Sequence, residues 1–170
     1  SEVFGHNAAL TLDLVYTDEF VKKRMENECE LFHKVSEVCI ENTSKYSLEE
    51  KQTALLRLLL GIYFLEGVKF PFSFLVTFII NDNYDNAISG FTKTIKLIAH
   101  DELSVHVVTG KNILNILSKE EHQGFKYLFD NGTFTTIAKE IAQVVVEQEI
   151  LWAKYLFDNY EVAGINSQIS

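Results

Sequence analysis

The sequence contains few residues that interrupt helices: proline occurs once and glycine eight times among 170 residues. Proline removes a backbone donor and glycine loses much conformational entropy on folding, so their scarcity argues against a chain of many short strands and turns. Helix-favouring leucine, isoleucine, lysine and glutamate are frequent instead. We therefore predict an all-α fold, and the length suits one domain with a sizeable core.

Cysteine and positive charge are also scarce, and each shortage excludes a class of protein. Cys29 and Cys39 lie on one predicted helix, about 15 Å apart along its axis, whereas a disulfide requires Cα atoms within about 7 Å. We expect two free thiols in a reducing compartment, the cytoplasm. The net charge of -9 argues against a nucleic-acid-binding surface, because phosphate binding needs a basic face.

The sequence lacks an uninterrupted apolar run of membrane-spanning length. Its most apolar stretch, residues 54–80, contains Arg57, Glu66 and Lys69, whereas a bilayer span needs about 20 residues with few or no charges. The first residues show neither the basic region nor the apolar run of a secretory signal. We expect a helix buried inside a protein bundle, with no membrane partner.

Capping signals and turn clusters divide the chain into six predicted helices. Residues 17–19 (TDE) cap the second predicted helix. Residues 47–50 (SLEE) have the form of a capping box that opens a long helix, and residues 81–83 (NDN) form the turn that follows it. Helices near 30 residues long that are apolar over much of their circumference are typical of a bundle, with burial against another subunit. By these signals the predicted helices span about 1–14, 20–42, 48–80, 85–117, 118–130 and 135–157.

Two glutamate–histidine pairs and one further glutamate are candidate metal ligands. Glu102 and His106 are four residues apart on a predicted helix, which places both on one face. Glu2 and His6 repeat this spacing near the start of the chain. Glu66 lies in an apolar helix, where a carboxylate is unfavourable unless it is paired or bound to a metal. Di-metal carboxylate bundles combine such pairs with single carboxylates, all directed inward.

Each of these candidates also has a simpler structural interpretation. Glu66 and Lys69 are three residues apart on one helix, so they could form an ordinary ion pair. A single Glu-x-x-x-His is more often a solvated pair on the outside of a bundle. Under the metal interpretation, Asp101 is a candidate acceptor that orients a histidine ligand.

Several segments resemble, in order, the small subunit of class I ribonucleotide reductases. Residues 65–74 (LEGVKFPFSF) resemble a ligand helix in which a glutamate precedes a basic residue and two phenylalanines four apart. Residues 96–106 (KLIAHDELSVH), with 109–115 (TGKNILN) after them, resemble the next ligand helix. Residues 148–157 (QEILWAKYLF) are similar to the family's late helix, and residues 1–6 (SEVFGH) resemble the first Glu-and-His helix.

The resemblance implies a ferritin-like helical bundle, as a single domain over residues 1–170 that is incomplete at both ends relative to the family. It also implies two bound iron ions, or manganese and iron. Such a centre would activate oxygen and supply a radical equivalent to the large ribonucleotide reductase subunit, which makes deoxyribonucleotides. A cytoplasmic homodimer is implied as well. The metal ligands implied by the resemblance are Glu2, His6, Glu66, Glu102 and His106.

The sequence departs from the family's pattern at several places. The family spaces its glutamate and histidine ligands three apart, whereas both pairs here are four apart; an inserted residue of this kind can be absorbed as a π-bulge. Leu10 stands at the family's radical-tyrosine position, which leaves open where the oxidising equivalent rests; in some members it rests on the metals. The sequence also lacks the helix with the family's aspartate ligand and the docking tail. Two alternatives therefore stay open: another ferritin-like di-metal oxidase, and a non-catalytic helical interaction subunit.

Overall fold

The computed structural model describes Asp13, residues 16–122 and residues 124–159, and every regular element within them is helical. The predicted all-α fold is confirmed for this part of the chain. Three π-helical segments, Ser36–Glu41, Leu65–Lys69 and Glu102–His106, respectively extend α1, join α2 to α3 and join α4 to α5. The α-helices are α1 (Glu19–Val35), α2 (Leu48–Phe64), α3 (Phe70–Asn83), α4 (Ser89–Asp101), α5 (Val107–Leu117), α6 (Phe125–Asp130) and α7 (Thr133–Asn159).

Side-chain caps fix the beginnings of α1 and α2 where the sequence predicts them. The Asp18 carboxylate accepts hydrogen bonds from the backbone N–H groups of Phe20 and Val21, at 2.8 and 3.0 Å. At α2 the predicted capping box is present: Ser47 Oγ accepts from the Glu50 N–H, and the Glu50 carboxylate accepts from the Ser47 N–H at 2.7 Å. Both helices thus begin with donors that are satisfied locally.

Two predicted boundaries are wrong, and local hydrogen bonds explain both. The turn after the long helix lies at residues 84–88 instead of 81–83, because the Asn81 amide donates to Asn86 Oδ1 and the Asn86 N–H donates to Asn81 O. The short helix predicted from residue 118 begins at Phe125. Ser118 Oγ donates back to a carbonyl of α5 instead of capping a new helix. The helix predicted over residues 1–14 falls almost entirely outside the described residues.

The apolar core lies between α2, α6 and α7, and α1 packs against both α2 and α7. Leucines of α2 at i, i+4 spacing meet the i, i+4, i+8 stripe of α7. Helices α1 and α2 approach closely at Gly61, where an added Cβ would lie 2.4 Å from Leu31 Cδ1. The packing of α1 and α7 against α2 positions the π-helical segment at its carboxyl end. The buried core residues are Leu56, Leu60, Leu128, Ile137, Ile141 and Val145.

Residues Leu48–Asn83 form one helix of 36 residues, and by length and composition it is apolar enough to cross a membrane. In the part of the chain that the structure describes, no other helix meets this criterion. A core helix of a soluble protein can meet it too. Only 17% of its most apolar window is buried within the described chain, so burial of the rest against another subunit stays a prediction.

We predict that Ser47→Ala destabilises the fold by about 1 kcal/mol, because the backbone N–H of Glu50 loses its acceptor and the capping box is broken. Urea-induced unfolding followed by circular dichroism measures the change. Ser44→Ala is the matched control, since Ser44 is an exposed serine in the same connection. Equal losses in the two variants would contradict the role of the cap.

Candidate metal centre

Glu66, Glu102 and His106 come together where the segment joining α2 to α3 faces the segment joining α4 to α5. One potential ligand atom from each residue lies within 4.8 Å of the other two. His106 Nδ1 lies 2.5 Å from Glu102 Oε2 and 3.5 Å from Glu66 Oε2. Among the described residues this is the one group of three histidine, cysteine, aspartate or glutamate side chains with such spacing.

Both halves of this cluster lie in π-helical segments. The Phe70 N–H donates to Leu65 O, and the Val107 N–H donates to Glu102 O, so each segment closes a turn one residue wider than an α-helical turn. The second segment begins at Glu102 and ends at His106. A π-helical segment thus spans Glu102 to His106, and that it absorbs a residue inserted relative to the family stays a prediction.

The two carboxyl groups of the cluster have opposite pKa shifts. The pKa of Glu66 is raised from an ordinary 4.5 to about 7, by burial first and then by the hydrogen bond and negative charge of Glu102, against a smaller lowering effect of His106. Burial also acts to raise the pKa of Glu102, but hydrogen bonds from Glu66 and His106 outweigh it and hold this pKa below its ordinary value. Near neutral pH Glu102 is ionised, and Glu66 holds a proton for part of the time.

The imidazole is the third titrating group of the cluster. Its hydrogen bond to Glu102 and the negative charge of that carboxylate raise the pKa of His106 above 6.5. The His106 side chain is about half exposed, whereas Glu102 is buried. The imidazolium form of His106 thus neutralises the ionised member of the carboxyl pair.

The donor set fits a divalent transition-metal ion. Glu66 Oε2 is buried and has no hydrogen-bond partner among the described residues. An unsatisfied buried oxygen of this kind is unfavourable by about 1–3 kcal/mol. Two carboxylates and an imidazole are the ligand types that iron, manganese and zinc accept in proteins. A bound cation would satisfy Glu66 Oε2 and replace the protons of the cluster.

The structure brings together three of the five predicted ligands, and the other two, Glu2 and His6, lie outside the described residues, as does Leu10. The predicted orienting role of Asp101 is not found at His106. Asp101 instead lies 3.7 Å from Nδ1 of the exposed His100, and the Nδ1 of His106 faces Glu102.

The alternative interpretation of Glu66 as the ion-pair partner of Lys69 is wrong. Lys69 is only 1% exposed, and its Nζ lies 2.7 Å from Glu28 Oε1 on α1. The three-residue spacing would place both side chains on one face of an α-helix, but both lie in a π-helical segment and contact different neighbours. Glu66 is therefore left without a cationic partner from its own helix.

Lys69 belongs to a buried group of polar side chains that residue spacing along the sequence does not predict. We call it the buried ion-pair network. Arg24 donates to both oxygens of Glu149, at 2.7 and 2.8 Å, and Lys69 contacts Glu28. The position of Lys69 is the one signal in the sequence for this group, because an ammonium in the middle of an apolar helix requires buried partners. The buried ion-pair network consists of Arg24, Glu28, Lys69, Gln148 and Glu149.

Comparison with known proteins gives no match: no protein-family model, curated protein or solved structure matches this chain. The case for the metal centre therefore rests on the geometry and chemistry of the chain itself. The ferritin-like arrangement and the resemblance to ribonucleotide reductase small subunits stay predictions.

We predict that Glu66→Gln removes a pH dependence from the stability of the metal-free protein. The folded state binds the Glu66 proton more tightly than the unfolded state does, so this proton stabilises the fold below about pH 4.5, and the stabilisation is lost as the pH rises to about 7. Glu66→Gln should therefore become more stable relative to wild type as the pH is raised from 5 to 8. Urea denaturation at several pH values measures the difference.

Glu30→Gln is the control for this experiment, because Glu30 is an exposed glutamate of α1. Its effect on the unfolding free energy should change little between pH 5 and pH 8. If the difference in unfolding free energy between Glu66→Gln and wild type were the same at every pH, Glu66 would have the same pKa in the folded and unfolded states, which would contradict the prediction.

Proposed function

We propose that this chain binds divalent transition-metal ions at Glu66, Glu102 and His106, and that it is the small subunit of a ribonucleoside-diphosphate reductase. The observation that carries the proposal is the convergence of these three side chains within 4.8 Å. They come from the two segments that resemble the ligand helices of that family. In the proposed centre two iron ions, or manganese and iron, are bound, with Glu2 and His6 as the further ligands.

The chain's own residues would hold the ions and exchange protons for them. Glu66 and His106 would release protons on binding, since carboxylates and neutral imidazoles are the forms that coordinate metals. Glu102, already ionised and buried, would supply fixed negative charge within the bundle. When bound, the ions would supply the oxygen-activating redox chemistry whose oxidising equivalent passes to the large subunit.

As part of the same proposal, the chain forms a cytoplasmic homodimer that docks on the large reductase subunit. Its cysteines Cys29 and Cys39 are free thiols, which suits a reducing compartment. Apolar side chains exposed along the helix formed by α4 and α5 support burial against another chain. They include Phe91, Leu97, Val105, Val108 and Ile116, of which Leu97 is 70% exposed.

The same exposed apolar surface favours a second candidate, a helical interaction subunit without catalysis. Metal content separates the two, because an interaction subunit does not require the cluster to bind ions. Another ferritin-like di-metal oxidase would bind metal equally well. Support of ribonucleotide reduction by the large subunit separates that enzyme from the proposed one.

We predict that the purified chain, loaded anaerobically with ferrous or manganous ions, binds two ions tightly. Glu66→Ala should weaken metal binding by at least about tenfold. Mutation of a residue that only hydrogen-bonds to a metal ligand already lowers metal affinity by about that factor, and Glu66 is proposed as a ligand itself. Metal analysis after desalting, together with titration calorimetry, measures both quantities. Glu30→Ala is the control, an exposed glutamate outside the cluster.

The pattern of stoichiometries distinguishes the versions of this proposal. Two ions per chain, with one lost in a Glu2→Ala and His6→Ala double variant, support the di-metal centre. One ion, unaffected by that double variant, leaves a single-metal site formed by Glu66, Glu102 and His106. No tight binding by the wild-type chain would contradict the proposal and favour the interaction subunit.

A further inference from the structure

We propose that Lys69 is a positioning residue for the candidate metal centre: its buried ammonium holds the π-helical segment Leu65–Lys69 so that Glu66 faces Glu102 and His106. The inference rests on the proposed metal-binding function and adds to it the group that holds one ligand in place. Lys69 itself contacts neither Glu102 nor His106 among its hydrogen bonds.

The Lys69 side chain ties this segment to two other helices. Its Nζ donates to Glu28 Oε2 at 2.8 Å and to the Arg24 carbonyl oxygen at 2.6 Å, both on α1. It also donates to Gln148 Oε1 on α7, at 2.7 Å. An ammonium has three donors, so each has an acceptor. The segment is thereby fixed from α1 and α7, while Glu66 reaches the α4–α5 side.

The backbone of Lys69 is held as firmly as its side chain. Arg24 Nη2 donates to the Lys69 carbonyl oxygen at 2.8 Å, while Lys69 Nζ donates to the Arg24 carbonyl oxygen. Arg24 is itself fixed by its paired hydrogen bonds to Glu149 and by the ring of Trp152, 5.2 Å from the guanidinium carbon. These reciprocal bonds set the register of Lys69 against α1.

The reciprocal bonds matter because π-helical turns are rare and occur mostly as single turns within α-helices. Contacts from outside the segment are therefore needed to hold it in this conformation. If the segment relaxed to an α-helix, the helices on its two sides would turn by one residue, about 100°, relative to each other. Glu66 and Lys69 would then return to one face of the helix. The energetics agree with a positioning role. Replacing a buried ion pair with apolar side chains is often neutral or stabilising, so fold stability alone does not require an ammonium here.

The test is the double variant Lys69→Met and Glu28→Leu, which removes both charges and leaves no buried charge unpaired. We expect helical content and melting temperature close to wild type, and Co²⁺ affinity lower by about 10–100-fold, the usual effect of losing an outer contact of a metal ligand. Titration of the Co²⁺ visible absorption measures affinity and coordination together. The matched control is Arg57→Met and Glu140→Leu, which removes an exposed ion pair between α2 and α7 and should leave Co²⁺ binding unchanged.

A second readout needs no metal. In the metal-free double variant the imidazole NMR signals of His106 should shift, because Glu66 Oε2 leaves its position 3.5 Å from His106 Nδ1. Unchanged His106 signals together with unchanged Co²⁺ affinity would overturn the role of Lys69. If wild type fails to bind Co²⁺, the proposed function fails, and the His106 signals still decide the role of Lys69.

A third variant keeps the proposal testable if the double variant misfolds, which circular dichroism would reveal. Gln148→Met removes one acceptor of the Lys69 ammonium and leaves its ion pair with Glu28 in place. It should lower Co²⁺ affinity in the same direction, severalfold, and shift the His106 signals. Wild-type values of both measurements in this variant would contradict the proposal.

Discussion

The burial of two opposite charges in one apolar helix constrains the rest of this bundle. Glu66 and Lys69 lie in the middle of the helix Leu48–Asn83, and each must find polar partners outside it. Lys69 finds them on α1 and α7, where each of its donors has an acceptor. Glu66 finds a second carboxyl group and an imidazole, and one of its oxygens stays without a hydrogen bond. The first arrangement is complete within the protein, whereas the second leaves a buried carboxyl oxygen that a bound cation would satisfy.

The π-helical segments allow these two charges to face different neighbours. An α-helix places residues three apart on one face, which would have favoured an ion pair between Glu66 and Lys69. The wider turn separates them, so α1 and α7 take the ammonium and the α4–α5 helix takes the carboxylate. The opposing segment, Glu102–His106, has the same geometry. Both turns that carry the candidate ligands thus depart from the regular helix, as happens often at functional sites.

The sequence predicts those features that depend on neighbouring residues. The caps at Asp18 and Ser47 are local, and so is the spacing of Glu102 and His106; the structure contains all of them. Glu66 stands out in the sequence because a carboxylate in an apolar helix is unusual. The partners of Lys69 cannot be predicted in this way, because Glu28 and Gln148 lie 41 and 79 residues away and are set by how α1 and α7 pack.

Charge balance connects the buried ion-pair network to the candidate metal centre. Within the network two cations, Arg24 and Lys69, face two carboxylates, Glu28 and Glu149, so the network is neutral and has no positive charge left over. Glu66 and Glu102 must therefore be neutralised by protons or by an added cation. The raised pKa of Glu66, about 7, is consistent with neutralisation by protons in the metal-free protein. A divalent ion would displace those protons, because two carboxylates then face two positive charges. Because Arg24 and Lys69 are paired within the network, neither is free to neutralise the candidate ligands Glu66 and Glu102. The network would in this way favour metal binding at a site with which its cations make no contact.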